Sequence, residues 1–267
     1  MLTAVKSNLK YFIKSIKCSI SAAFAYKTSF VVQTIFMFIN NGFFLLFWAI
    51  IINVNGGNAN GIVMNDILYL WSVPVIAYGV AHFFFGGIVS LSSKILTGGF
   101  DTYLLQPKHP LLSVMTSKCD FSACGDILYG LVIGFFASGG NILQFLGIIL
   151  LGIMGATIYI STNVLIRLSV VLIGDNEVLA NRYEELFLIT FATYPEAIYS
   201  NSFKIILYTI IPSAYIAFMP IKIIQMFDWK SFIILMSIYI FSIFIMFFVF
   251  NKAIRKYESG NSIKMVD

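Results

Sequence analysis

Between Ile142 and Ile173 the chain runs for 32 residues with one charge, Arg167. As a helix that run is about 48 Å long, more than the ~30 Å hydrocarbon layer of a bilayer. A segment of this kind is a membrane span, and five more apolar runs share its character. They are Ser29 to Ile52, Ile67 to Leu91, Phe121 to Ser138, Phe203 to Ile221 and Phe232 to Phe250. The chain is 59% hydrophobic and 11% charged, against roughly 45–50% and about 25% in soluble domains. The expected fold class is an all-α integral membrane protein with six transmembrane helices. Residues 1–28 form an amphipathic interfacial helix, 29–251 the six-span bundle and 252–267 a cytoplasmic tail, together one transmembrane domain. In such a chain the net charge of +5 reports which loops face the cytoplasm, and nucleic acid is not an expected partner.

At the N-terminus Lys6, Lys10, Lys14 and Lys17 recur about once per helical turn, with Leu9, Phe12, Ile13 and Ile16 between them. That is a basic amphipathic helix suited to anionic headgroups of the lipid bilayer. A cleavable signal has its small residues after its apolar run; here Ala22, Ala23 and Ala25 precede it. With the N-terminus inside, the cytoplasmic loops collect 15 Lys and Arg. The outer loops collect Lys222 and Lys230 only. Six spans with both ends inside fit that bias.

Within the spans a few residues stand out. His82 lies in the second, where a histidine is either a functional group or a hydrogen-bonded packing residue. Gly130 and Gly134 make a GxxxG in the third, which permits close helix packing. Asp120 and Asp126, near its start, are placed at the interface. The fourth run is too long, so the helix is expected to leave the membrane near Asn163 and carry Arg167 to an interface. Residues Asp175 to Asn201 hold Glu177, Arg182, Glu184 and Glu185 and read as a surface helix broken at Pro195. Pro212 should kink or break the fifth span and Pro220 end it. Phe43, Phe44, Phe47 and the Pro212 region are candidates to line a path; lipid-facing positions are the other reading.

Chemistry is sparse. GxxxxGK[ST] and HExxH do not occur, and Cys18, Cys119 and Cys124 have no metal-ligand spacing. No catalytic residue, metal site or cofactor is expected on this chain. Glu184-Glu185 opens like EExxxR, but Ile189 stands where that motif needs arginine.

The longest polar interruption is Gly98-Gly99-Phe100-Asp101-Thr102-Tyr103-Leu104-Leu105-Gln106-Pro107-Lys108-His109-Pro110. Two glycines break the helix before it, two prolines close it, and Phe100, Tyr103, Leu104 and Leu105 between them have helical spacing. A short surface helix fits; so does an ordinary loop.

The run Gly99 to Pro107 resembles the G-x-x-D-x-x-L-L-x-P segment of six-span permease subunits of type-2 ABC exporters. Tyr194-Pro195-Glu196-Ala197-Ile198-Tyr199, then Ile211-Pro212 and Ala217-Phe218-Met219-Pro220, is similar to that family's Tyr-Pro-x-x-Ile-Tyr segment and later prolines. The departure is Gln106, where the family often has arginine. The resemblance implies a permease in the cytoplasmic membrane of a bacterium or archaeon, paired with a second, identical or related permease. It also implies two cytoplasmic ABC ATPase subunits that hold the ATP and Mg. Gly99, Phe100, Asp101, Tyr103, Leu104, Leu105 and Pro107 would form the coupling helix that docks on the ATPase, with Asp101 capping it or pairing with an arginine. Tyr194, Pro195, Pro212 and Pro220 would shape the gate. A membrane scaffold or sensor bound to an ABC ATPase, and an unrelated carrier, are the alternatives. Aromatic spans with few charges suit a hydrophobic or amphipathic cargo.

Overall fold

The computed structural model describes residues 2–25, 27–59, 61–174 and 177–257. The end of the expected tail, including Lys264, and Asp175 lie outside them. The described residues are helical throughout, apart from turns and one isolated β-bridge. In order come α1 (Leu2–Ala25), α2 (Lys27–Val54), α3 (Met64–Phe85), α4 (Leu91–Leu96), α5 (Asp101–Leu104) and α6 (Pro110–Met115). Then follow α7 (Ala123–Ala137), α8 (Ile142–Leu168), α9 (Val170–Ile173), α10 (Glu177–Tyr183), a π-helix (Glu184–Thr190) and α11 (Phe191–Thr193). The last are α12 (Asn201–Thr209), α13 (Ser213–Ile216), α14 (Phe218–Gln225) and α15 (Trp229–Ile254).

Four of these are long and apolar enough to cross a membrane: α2, α3 continued through a 3-10 turn into α4, α8 and α15. The pair α12 and α13–α14 passes the same test together but is bent by 79°. The apolar helix α7 has 15 residues, shorter than the expected third span.

At the centre, α3 packs between α7 and α8. Lipid tails are as apolar as leucine, so close approach of backbones must hold such helices together. Small residues permit it. A Cβ on Gly130 would lie 2.6 Å from Ile76 Cγ1, one on Gly79 2.7 Å from Ile127 Cγ1, and one on Gly134 3.1 Å from Ile148 Cγ2. Outward positions stay apolar: Phe36, Phe43 and Ile50 on α2, and Ile240, Phe244 and Phe248 on α15, are exposed, as lipid contact requires. The α7–α8 turn is a tight Gly139-Gly140 corner, both at positive φ. Asn141 caps α8 by accepting from the Leu143 and Gln144 amides.

The second half of the chain departs from the expected layout. Helix α8 ends at Leu168, and Arg167 is fully buried instead of reaching an interface. The segment Glu177–Thr193 packs by one side only: Ala180, Glu184, Ala192 and Thr193 are buried, while Val178, Leu179, Arg182 and Glu185 are exposed, and the helix ends before Pro195 as expected. It runs from Arg167, near the C-terminal end of α8, to a cluster with Trp48, Ile52 and Ile67 where α2 ends and α3 begins. As helix that is about 25 Å. The chain then turns at Tyr194 and Pro195. Residues 196–225 come back to the level they left, because Lys222 pairs with Glu196 at 2.6 Å and Gln225 donates to Asp66 at 2.8 Å. Pro212 sits at the bend before α13. It breaks the helix there, as expected, and the 79° bend turns the 196–225 stretch back on itself. Pro220 lies inside α14, which continues to Gln225. Asp126, in the first turn of α7, is also buried.

One glycine is decisive. Gly87, in the 3-10 turn after α3, faces the 114–117 segment so closely that a Cβ would fall 2.0 Å from the Val114 carbonyl oxygen. Backbone cannot yield as a flexible side chain can. Gly87→Ala is expected to cost about 3 kcal/mol through overpacking, measured as thermal unfolding in detergent. An unchanged melting point would contradict this contact.

Candidate coupling site at the α5 end of the bundle

Helix α4 ends in a turn that only glycine enters easily, Gly98 with φ of 73°. The Phe100 amide then donates to the Lys94 carbonyl at 2.9 Å. This folds the chain back so that α5 lies across the end of the bundle. Phe100 is the N-cap residue and Asp101 is the first residue of α5. Asp101 therefore places its charge in the first turn, where a helix dipole favours it, instead of capping.

The apolar residues of this turn divide into two sets. Phe100 is 1% exposed, and its ring meets Tyr257 at 5.4 Å and Phe250 at 6.3 Å. It anchors the turn to α15, so it is not available to a partner. Tyr103 is half-buried under Lys94, whose Nζ lies 4.7 Å from its ring centre and donates to Ser117 at 2.8 Å. Leu104 is exposed and Leu105 is 87% exposed. Pro107 is exposed beside them. Two adjacent leucines and a proline thus face outward from a turn whose other face is packed down.

Helix α1 braces the same end. Ser15 donates to the Thr116 carbonyl at 2.6 Å, Lys108 hydrogen-bonds Ser7, and Phe12 stacks on Phe85 at 5.5 Å. His109 closes the turn against Phe247 and Phe250, both at 5.5 Å. Its Nδ1 is buried without a hydrogen-bond partner, and burial holds its pKa below the ordinary value. The unfolded chain therefore takes up this proton first. Stability is flat above about pH 6.5 and falls as pH drops below it. His109→Phe is expected to reduce the loss of melting temperature between pH 7.5 and 5.5. A variant that loses as much as the parent would contradict it.

Behind the turn lies a buried ionic clamp that the sequence did not reveal. Arg167 donates from Nη2 to Glu184 Oε2 at 2.6 Å and Asn181 Oδ1 at 3.1 Å, from Nε to Asn163 Oδ1 at 3.0 Å, and from Nη1 to the Val89 carbonyl at 2.8 Å. Glu184 also accepts from Tyr159, and His82 Nε2 lies 2.9 Å from the Tyr159 hydroxyl and 3.2 Å from Glu184. Every polar group has a partner, which is what a buried charge needs. Ser92 donates back to the Arg167 carbonyl at 3.2 Å. The clamp thereby ties the 3-10 turn and α4, which carry the α5 turn, to α8 and the Glu184 π-helix.

The other singled-out residues lie away from this end. Gly130 is in the α3–α7 contact, and Gly134 faces Ile148 of α8 and Ser72 of α3. Tyr194 meets Phe44 at 6.2 Å and Trp48 at 6.3 Å, and Phe44 stacks on Trp71 at 3.8 Å. Pro195 lines an outer pocket with Asp66 and Lys222. Phe43 and Phe47 are exposed. Among the described residues no group of three His, Cys, Asp or Glu is placed to hold a metal.

No curated protein and no solved structure matches the chain. Residues 38–261 match the family described as ABC-2 family transporter protein. The match takes in α3 to α15, with the α5 turn, the clamp and the 196–225 hairpin inside it. The chain is a membrane protein that belongs to the ABC-2 transporter family.

Proposed function

We propose that the chain is the permease subunit of an ABC exporter and that α5 is its coupling helix. The observation that carries this is the outward pair Leu104 and Leu105 on a turn whose Phe100 is locked into the bundle. A partner that binds the pair as helix-in-groove anchors moves α4, α3 and, through the clamp, α8 with it. Hydrolysis belongs to a separate cytoplasmic ATPase, which holds the ATP and Mg; the permease itself carries no catalytic residue. Alternating access requires that two ATPase states bind the turn with different affinity.

Six crossings follow if α2, α3–α4, α7, α8, the Glu177–Thr193 segment and α15 each traverse the membrane. The 196–225 hairpin is then re-entrant from the outer face. Lys204 moves outside and Arg167 and Arg182 lie within crossings, so of the 17 Lys and Arg 12 face the cytoplasm and 3 the outside, still a strong inside bias. Both termini are cytoplasmic, and the membrane is the cytoplasmic one. A second permease, identical or related, completes the path. The exposed aromatic face of α2, with Phe43 and Phe47, is available to that partner or to lipid.

The test is co-purification in mild detergent of the tagged chain expressed with its neighbouring genes. An ATPase bearing GxxxxGK[ST] should co-purify, and scrambling residues 99–107 should release it. A chain that purifies alone would favour a carrier. An ATPase that binds while reconstituted vesicles move no cargo would favour a scaffold or sensor.

A further inference from the structure

Asp126, in the first turn of α7, is 3% exposed. Its Oδ1 accepts from Asn41 Nδ2 at 2.6 Å, while its Oδ2 is buried with no hydrogen-bond partner among the described residues. Among the described residues it has no ion pair. Glu184, the other deeply buried carboxylate, is held by Arg167, Tyr159 and His82. The difference matters, since a carboxylate buried without a counter-charge is costly.

Asp126 lines a cavity of about 190 Å³ inside a single subunit, between α2, α3, α7 and α8 on one side and Ile189 and Ile216 on the other. Its walls are largely apolar, with Trp71, Pro74 and Tyr78 contributing. Phe44 stacked on Trp71 at 3.8 Å holds that ring in place. The space is somewhat larger than the roughly 150 Å³ apolar cavity that accommodates benzene. An anion is excluded by the carboxylate. A hard metal ion wants six or more oxygens, which these walls do not supply. A small organic cation matches both halves: ammonium N–H groups for Asp126 and an apolar body for the walls, with the ring faces of Trp71 and Tyr78 attractive to the charge.

We propose that this cavity is a binding site for a small amphipathic ammonium ion, with Asp126 as its counter-ion. As a binding site it stands without the transport reading; as a cargo site it rests on that reading. Binding to the purified chain therefore separates the two failures.

The experiment titrates benzylammonium into the purified chain in phosphatidylcholine nanodiscs, by calorimetry against empty discs. Saturable binding is expected, with benzyl alcohol at least tenfold weaker. Asp126→Asn keeps the size and the contact with Asn41 and should weaken benzylammonium at least tenfold. Ile216→Phe fills the cavity without touching the carboxylate and should abolish binding, which keeps the proposal testable if Asp126→Asn does not fold. Competition by phosphatidylethanolamine in the disc would assign the natural amine to a lipid headgroup, and no competition would assign it to a soluble amine. Equal binding of benzylammonium and benzyl alcohol, or full affinity in Asp126→Asn or Ile216→Phe, would overturn the site.

Discussion

Arg167→Ala is expected to remove about 3–5 kcal/mol of stability, the range for breaking a buried ion pair from one side. The guanidinium is 0% exposed and serves four acceptors: Glu184, Asn181, Asn163 and the Val89 carbonyl. Alanine leaves the Glu184 carboxylate without its cation and the Val89 carbonyl without its donor. Arg167→Lys keeps the charge but not the planar fork, so one ammonium cannot reach all four acceptors, and an intermediate loss is expected. Arg167→Leu combined with Glu184→Leu removes both charges and should be less destabilised than Arg167→Ala. Thermal unfolding in nanodiscs measures all three. A double variant at least as unstable as the single would show that the pair is not the source of the effect. The surviving fraction of Arg167→Lys should also couple less well, because the clamp no longer fixes the 3-10 turn that carries α4.

The second large effect is expected at the surface. Leu104→Asp with Leu105→Asp should leave the fold intact, since both side chains already face outward. Burying two leucines in a partner's groove contributes about 1.5–3 kcal/mol each. Replacing them with carboxylates adds a desolvation cost on top. A loss of about 3 kcal/mol or more in docking corresponds to over a hundredfold in affinity. The assembled complex should therefore lose its permease-stimulated ATP hydrolysis while membrane insertion and melting temperature stay near the parent's. Phe100→Ala should behave in the opposite way. Its ring is buried against Phe250 and Tyr257, so about 3–5 kcal/mol of stability should go with it. Normal ATPase stimulation by the double aspartate variant would remove α5 from the coupling path.

Much of the architecture was legible because lipid imposes simple rules. Apolar runs marked α2, α3, α8 and α15. Lysine periodicity marked α1, and the glycine pairs marked the turns before α5 and α8. Hydropathy went astray where a charge carries its own partner. Segment 177–193 looks too polar to be buried, yet Glu184 meets Arg167 from 17 residues earlier, while Arg182 and Glu185 pair with each other at 2.9 Å on the exposed side. A window that counts charges cannot see either pairing. The same blindness kept His82 without a titratable neighbour, because Tyr159 and Glu184 arrive from other helices. Pro212 was legible as a break, but kink and hairpin differ only in where the ends go, and the Glu196–Lys222 contact that decides it is a tertiary fact. Within the coupling turn, helical spacing grouped Phe100 with Leu104 and Leu105. Periodicity identifies an apolar face and says nothing about whether that face packs on its own bundle or on another protein.

The most direct measurement is photo-crosslinking from the tip of the turn. Cys18, Cys119 and Cys124 are replaced by alanine, Leu105→Cys is labelled with a benzophenone, and intact membranes from cells that express the neighbouring genes are irradiated. The expected product is one dominant adduct with a soluble ATPase bearing GxxxxGK[ST], lost when the label is moved to Phe43→Cys. An adduct with lipid alone, or labelling of position 105 by an impermeant reagent from outside the cell, would contradict it.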